Sequence, residues 1–154
     1  VTPTVIVLRH GYALSRGDWA GPDRDRPLTP AGREQAATVV AMACGQDIRR
    51  VLSSPATRCV QTIAKLLIAA DASAELLPGL AEEATAPQYA HAARTVAGLL
   101  HGDCNALVCS HRPVLPGLFA AIAGAGGPPP PVEPLQPGEY LVIRGAALLA
   151  RDHS

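Results

Sequence analysis

Val5-Ile6-Val7-Leu8, four consecutive apolar residues of which three are β-branched, run directly into Arg9-His10-Gly11. A short unbroken apolar run of this kind predicts a strand buried on both faces, the central parallel strand of an open sheet. Such a strand cannot lie at an edge or face water, so helices must cover both of its sides. Arg9 and His10 then sit at its carboxyl end, with Gly11 expected to turn the backbone tightly. Open α/β sheets bind their ligands at that end.

The same grammar recurs along the chain. Tyr12 to Pro27, rich in Gly, Asp, Arg and Pro, reads as a long loop on the ligand side of the sheet. Thr29 is the expected N-cap, with Pro30 at the first position, of a helix running to about Cys44. Val51 to Ser53 reads as a second strand, and Ser54-Pro55 as the start of a helix with Ser54 as N-cap and Arg58 in its first turn. Cys59, Val60, Ile63 and Leu67 form its buried stripe. Glu75 to Leu77 is the expected third strand and Leu80 to Pro87 a loop carrying Glu82 and Glu83. A helix through Tyr89, Val96 and Leu100 and a buried strand Ala106 to Cys109 follow. Ser110-His111-Arg112 ends that strand, and Pro113 opens a fourth helix along Leu115, Leu118, Phe119 and Ile122. Gly124 to Gly138 is a Gly/Pro connection that includes Pro128 to Pro131, and Tyr140 to Leu149 closes the chain as a hairpin turning at Arg144-Gly145. Strands alternating with helices predict a single domain with a three-layer α/β/α sandwich and a mostly parallel central sheet.

A chain of 154 residues can bury a real core, and with aromatics at only 3% that core must be aliphatic. Equal numbers of acidic and basic residues argue against a general nucleic-acid or anionic-membrane surface, so any phosphate recognition must be local. The four cysteines form no C-x-x-C pair; three lie in apolar periodic segments and read as buried free thiols. No signal peptide or membrane-length apolar run is visible, which predicts a soluble, cytoplasmic protein. No metal-ligand spacing joins the histidines and cysteines, and no cofactor is expected.

Arg9, His10, Arg58 and His111 thus fall at strand ends or helix starts on one side of the sheet. Guanidinium forks, imidazole donors and helix N-termini are the groups that hold phosphoryl oxygens best.

Arg9-His10-Gly11, Leu28-Thr29-Pro30-Ala31-Gly32-Arg33-Glu34-Gln35-Ala36, Ser54-Pro55-Ala56-Thr57-Arg58-Cys59-Val60-Gln61-Thr62 and Ser110-His111 together resemble, in order and spacing, the motifs of the histidine phosphatase superfamily, which has the phosphoglycerate-mutase-like fold. The resemblance implies His10 as a nucleophile that becomes phosphorylated, with Arg9, Arg58 and His111 binding the transferring group and no metal required. Leu80-Ala81-Glu82 matches the segment that often supplies the family's general acid, which implies Glu82; a one-residue register error would make it Glu83. Gly11, Ser15 and Arg16 are the expected substrate-binding residues, and Trp19, Arg24 and Arg26 share the overhanging loop.

The implied activity is hydrolysis of a phosphomonoester or a terminal nucleotide phosphate. Little length is left over for the enclosing segments that mutases of the family carry. Two relatives compete for the substrate: SixA-type phosphohistidine phosphatases, which the Arg26-Pro27-Leu28-Thr29 segment resembles, and the C-terminal phosphatase domain of actinobacterial MutT-type proteins, in which a Nudix domain comes first. Leu80 to Glu83, the Ala/Pro/Arg bias and the start at Val1 favour the second, and with it a nucleotide-like substrate and an N-terminal Nudix domain in a longer chain. No Nudix box occurs in the sequence itself. A phosphate-binding module without turnover is the non-enzymatic alternative.

Overall fold

The computed structural model describes residues 1–153. A six-stranded sheet forms its middle layer: β1 (Thr4–Arg9), β2 (Ile48–Ser53), β3 (Ala74–Leu76), β4 (Asn105–Ser110), β5 (Glu139–Arg144) and β6 (Ala147–His153), in the order β3-β2-β4-β1-β5-β6. The first four strands in that order pair in parallel, and β5 and β6 add antiparallel on the far side of β1. β1 is therefore interior, as its apolar run requires. Its alternation divides the core: Val5 and Val7 face α3 (Ala86–Gly98) and α4 (Leu115–Gly124), while Ile6 and Leu8 face α1 (Pro30–Cys44) and α2 (Thr57–Ala69). All four side chains are fully buried. The three layers follow, with one apolar core on each face of the sheet.

Local chemistry sets the helix starts. Thr29 caps α1 by accepting from the Gly32 amide at 3.1 Å, and Thr85 forms a reciprocal capping box with Gln88 at the start of α3. Gly145, at φ +57°, turns the β5–β6 hairpin in the left-handed region where glycine is least strained.

Several expectations need correction. α2 begins at Thr57 with Ala56 as its uncapped N-cap, and Ser54 is not its cap, because the Ser54 hydroxyl is used elsewhere. α4 begins at Leu115, since residues 111–114 first make a separate turn. β2 starts three residues earlier than its apolar run, with Arg49 and Arg50 inside it. Gly11 does not have a positive φ; its role is space, since a Cβ there would lie 2.8 Å from Gln35 Oε1 and 3.1 Å from Gly32 O. All four cysteines are free, but Cys44 is exposed and only Cys59 and Cys109 are buried. Among the described residues no helix is long and apolar enough to cross a membrane.

Candidate active site

The turn after β1 is held open by side chains from the two helices beneath it. Thr62 of α2 accepts from the Gly11 amide at 3.1 Å and donates to Arg58 O at 2.6 Å. Gln35 of α1 accepts from the Tyr12 amide at 2.8 Å and donates to Pro137 O at 3.0 Å, and Gln61 accepts from the Leu28 amide at 2.8 Å. A Cβ on Gly32 would sit 2.1 Å from Tyr12 O, so only glycine lets α1 approach this turn. The loop that follows closes at its base through a bridge between Ala13 and Leu28 and contains two short 3-10 turns, Arg16–Asp18 and Asp23–Asp25.

His10 hangs from this braced turn, with only 7% of its surface exposed, so it is more buried than a solvent-facing strand end would be. Its Nδ1 lies 2.7 Å from Gly11 O. A carbonyl only accepts, so Nδ1 carries the hydrogen and the lone pair is on Nε2, which makes no hydrogen bond with any described residue. Burial, resisted by the Gly11 hydrogen bond and helped by the charges of Arg58 and Arg9, lowers the ring to about pKa 4. At neutral pH His10 is an uncharged base of fixed tautomer.

His111 meets it edge-on, with ring centroids 5.2 Å apart. Its Nε2 lies 2.8 Å from Ser54 Oγ, which already accepts from the Ala56 amide at 3.2 Å. With the Ala56 amide donating to Oγ, we assign the Ser54 hydroxyl as the donor to Nε2, which also lies 3.6 Å from Cys59 Sγ, and so place the hydrogen of His111 on Nδ1. Burial, followed by neighbouring His10 and Arg58, pushes His111 far below its usual range. The 3.4 Å approach of Nδ1 to Glu82 Oε1 is accordingly not an ion pair at neutral pH, nor does it have hydrogen-bond geometry.

Arg58, only 1% exposed, enters from the first turn of α2 and donates to Asp23 O at 2.9 Å, Asp23 Oδ2 at 3.2 Å and Glu82 Oε1 at 3.4 Å. Arg9 is anchored through Nη1 to Leu135 O at 2.8 Å. Three buried donors have no acceptor among the described residues: Arg9 Nε, Arg58 Nε and His111 Nδ1. Unpaired buried donors are costly, and these three belong to the residues grouped around His10. An oxyanion is the chemical species they suit.

Glu82 and Arg16 line the same cavity, of about 390 Å³, with Arg9, His10, Arg26 and Arg112. Arg16 reaches both Asp23 at 3.3 Å and Glu82 at 3.2 Å. Glu83 and Arg24 instead border an adjoining shallow depression. Ser15 is not brought in: its hydroxyl donates to Asp18 in the exposed loop. Both backbone groups of Gly11 are occupied, by Thr62 and His10. Trp19 donates to Pro22 O within its own loop.

Asp23 is the residue that sequence reasoning missed. Burial works against its ionisation, but hydrogen bonds from Arg26 and Arg16 and the charge of Arg58 outweigh it and bring the carboxyl down to about 2. It is the fixed anion that aims Arg58. Thr62, Gln35 and Gln61 were legible only as letters of motifs, without a role, and Ser54 only as an expected helix cap. Among the described residues no group of three or more His, Cys, Asp or Glu side chains could hold a metal ion.

The model of the histidine phosphatase superfamily (branch 1) matches residues 5–91, more than half of the chain. A protein of Mycolicibacterium smegmatis named 8-oxo-(d)GTP phosphatase is 35% identical over 118 residues, which are 77% of this chain and 37% of that protein. The chain therefore spans little more than a third of that relative's length. Among solved structures, the protein histidine phosphatase SixA complexed with tungstate is 28% identical, with a TM-score of 0.66 over 90% of this chain and 86% of the other. A phosphoserine phosphatase of Entamoeba histolytica in complex with 3-phosphoglyceric acid, 16% identical, shares the fold with a TM-score of 0.68 over 99% and 98% of the two chains.

Proposed function

This chain belongs to the histidine phosphatase superfamily and has its phosphoglycerate-mutase-like fold, and from that premise we propose that it is a phosphatase that removes a terminal phosphate from a nucleotide through a phosphohistidine at His10. The carrying observation is the set of three unpaired buried donors, Arg9 Nε, Arg58 Nε and His111 Nδ1, beside a neutral His10 whose Nε2 is free.

In this reading the three donors hold the non-bridging oxygens, and Arg9 and Arg58 offset their charge. His10 Nε2 attacks phosphorus and the bond to the leaving oxygen breaks in line. Glu82, at the cavity wall, gives its proton to that oxygen. Water then attacks the phosphohistidine; Glu82, now a carboxylate, takes the water's proton, the P–N bond breaks, and inorganic phosphate leaves with His10 neutral again. The Gly11 carbonyl supports the phosphorylated ring, because its bond to Nδ1–H strengthens as positive charge develops there. Arg16, which touches Glu82 and Asp23, lines the cavity as a further cation for the substrate.

The nucleotide is supported by the similarity to the 8-oxo-(d)GTP phosphatase. That relative's greater length leaves room for a further domain, which in our reading is a Nudix domain ahead of Val1 in a longer chain, and a nucleotide substrate accords with a cytoplasmic location. A second reading, hydrolysis of phosphohistidine on proteins, is favoured by the 28% identity to SixA over most of the chain.

Turnover of a nucleotide labelled in its terminal phosphate tests the choice. A base-stable, acid-labile label on the wild type that is absent from His10→Asn is expected. Label persisting in the variant would refute the nucleophile. Cleavage of a phosphohistidine protein with nucleotides left intact would favour the second reading. The open frame upstream of the Val1 codon tests the Nudix part, and any other coding sequence there removes it.

A further inference from the structure

Beside the catalytic cavity lies a second one, of about 190 Å³, whose walls are almost wholly apolar: Leu115, Pro116 and Phe119 of α4 on one side and Pro131, Pro134 and Leu135 of the proline-rich connection on the other. Two contacts join it to the chemistry. Arg112 lines both cavities. Leu135, part of the apolar wall, supplies the carbonyl that anchors Arg9.

Arg112 is exposed and makes no hydrogen bond or ion pair with any described residue, and its charge acts on Arg9 as a repulsion. Two guanidinium groups set against each other at a cavity mouth, one unpartnered, suit a second anionic group next to the transferred phosphate. The apolar cleft is smaller than the ~300–1,000 Å³ of pockets that enclose a whole drug-sized ligand. It has room for one ring system, and its walls of proline rings and an aromatic side chain present the flat, stiff surfaces against which a planar ring packs with little ordering cost.

Resting on the nucleotide reading above, we propose that Arg112 and this cleft form the leaving-group subsite: Arg112 holds the penultimate phosphate of a purine nucleoside polyphosphate, and the cleft between Phe119 and Pro134 takes the base. The terminal phosphate then lies at His10 while the sugar spans the seam at Arg112. Glu133, the one carboxylate at the cleft, offers an acceptor to the amino group and ring N–H of a guanine-type base. The Gly/Pro connection thereby has a use beyond linking α4 to β5: its prolines are one wall of a specificity site.

The test compares guanosine 5′-diphosphate with p-nitrophenyl phosphate, which has neither a second phosphate nor a purine, in the wild type and in three variants. Pro116→Trp and Pro134→Trp fill the cleft from opposite walls, at exposed positions, and Arg112→Gln removes the charge. The expected result is a fall of about tenfold or more in kcat/KM for the diphosphate relative to p-nitrophenyl phosphate in each variant, carried mainly by KM. Retained cleavage of p-nitrophenyl phosphate by either tryptophan variant shows that it has folded. An unchanged ratio in the folded variants overturns the subsite while leaving the nucleotide reading standing. A wild type that cleaves p-nitrophenyl phosphate but no guanosine or adenosine diphosphate overturns both.

Discussion

Replacing His10 by Asn should flatten the dependence of stability on pH. His10 is 7% exposed and held at about 4 against an ordinary 6.5. Below pH 6.5 the unfolded chain binds a proton at this ring, whereas the folded protein binds it only near pH 4. Stability from His10 is therefore complete above the unfolded value and is lost as pH falls across that window. At about 1.4 kcal/mol per pH unit the loss amounts to roughly 3 kcal/mol. The Asn amide can still donate to Gly11 O, so the turn is kept while the titration is removed. Urea denaturation of both proteins at pH 7 and pH 4 reads the effect: the acidic groups contribute alike to each, and His111, which is pushed down partly by His10, is relieved in the variant and so changes the difference in the same direction. The wild type should lose about 3 kcal/mol more than the variant between the two pH values. Parallel losses, or an imidazole resonance of His10 titrating near 6.5, would refute the claim that burial and the two arginines keep this ring neutral.

Glu82→Gln should slow hydrolysis of an alkyl phosphate by about 10²–10⁴-fold while slowing p-nitrophenyl phosphate far less, since only the alkoxide needs a proton; equal losses would remove Glu82 from that role. Gly32→Ala gains helix propensity but drives a methyl into Tyr12 O, and should cost about 1–3 kcal/mol in a denaturant titration, with a stabilised variant contradicting the packing. Thr62→Val, which leaves the Gly11 amide buried and unpaired, should cost a similar ~1–3 kcal/mol and reduce turnover. Because charge neutralisation falls to Arg9 and Arg58, turnover of p-nitrophenyl phosphate should survive EDTA; loss of activity restored by a divalent ion would contradict the assignment.

The fold was legible where burial leaves a periodic trace. Val5 to Leu8 and Ala106 to Cys109, short unbroken apolar runs, read as interior strands, and their pairing in parallel brings Arg9, His10 and His111 to one end of the sheet. Arg58 was legible because it opens a helix after such a strand. The Thr29 cap could be read too, while the need for Gly32 could not, because it arises from Tyr12, twenty residues away in the chain. Ser54 was misread for a related reason: a serine before a proline at a helix start satisfies every local rule for a cap, and only the folded arrangement reveals that its hydroxyl serves His111 instead. Asp23 lies in a loop of mixed charges, where nothing periodic separates the carboxylate that aims Arg58 from Asp18 or Asp25 beside it. β2 began early because pairing with β4 and β3 carries Arg49 and Arg50 into a strand that an apolar count would not extend to.

Thr62 and Gln35 clamp the backbone directly after His10, Gln61 clamps the far end of the following loop at Leu28, and all three do so from the two helices that form one layer of the core. The ordering of the nucleophile is accordingly settled when the chain folds and not when the substrate arrives. Phosphate should then associate in a single kinetic step whose observed rate rises linearly with concentration, without the plateau that a slow rearrangement imposes. Weakening this clamp would appear first as a second, concentration-independent phase, with the cost of holding His10 still moved from folding to every encounter with substrate.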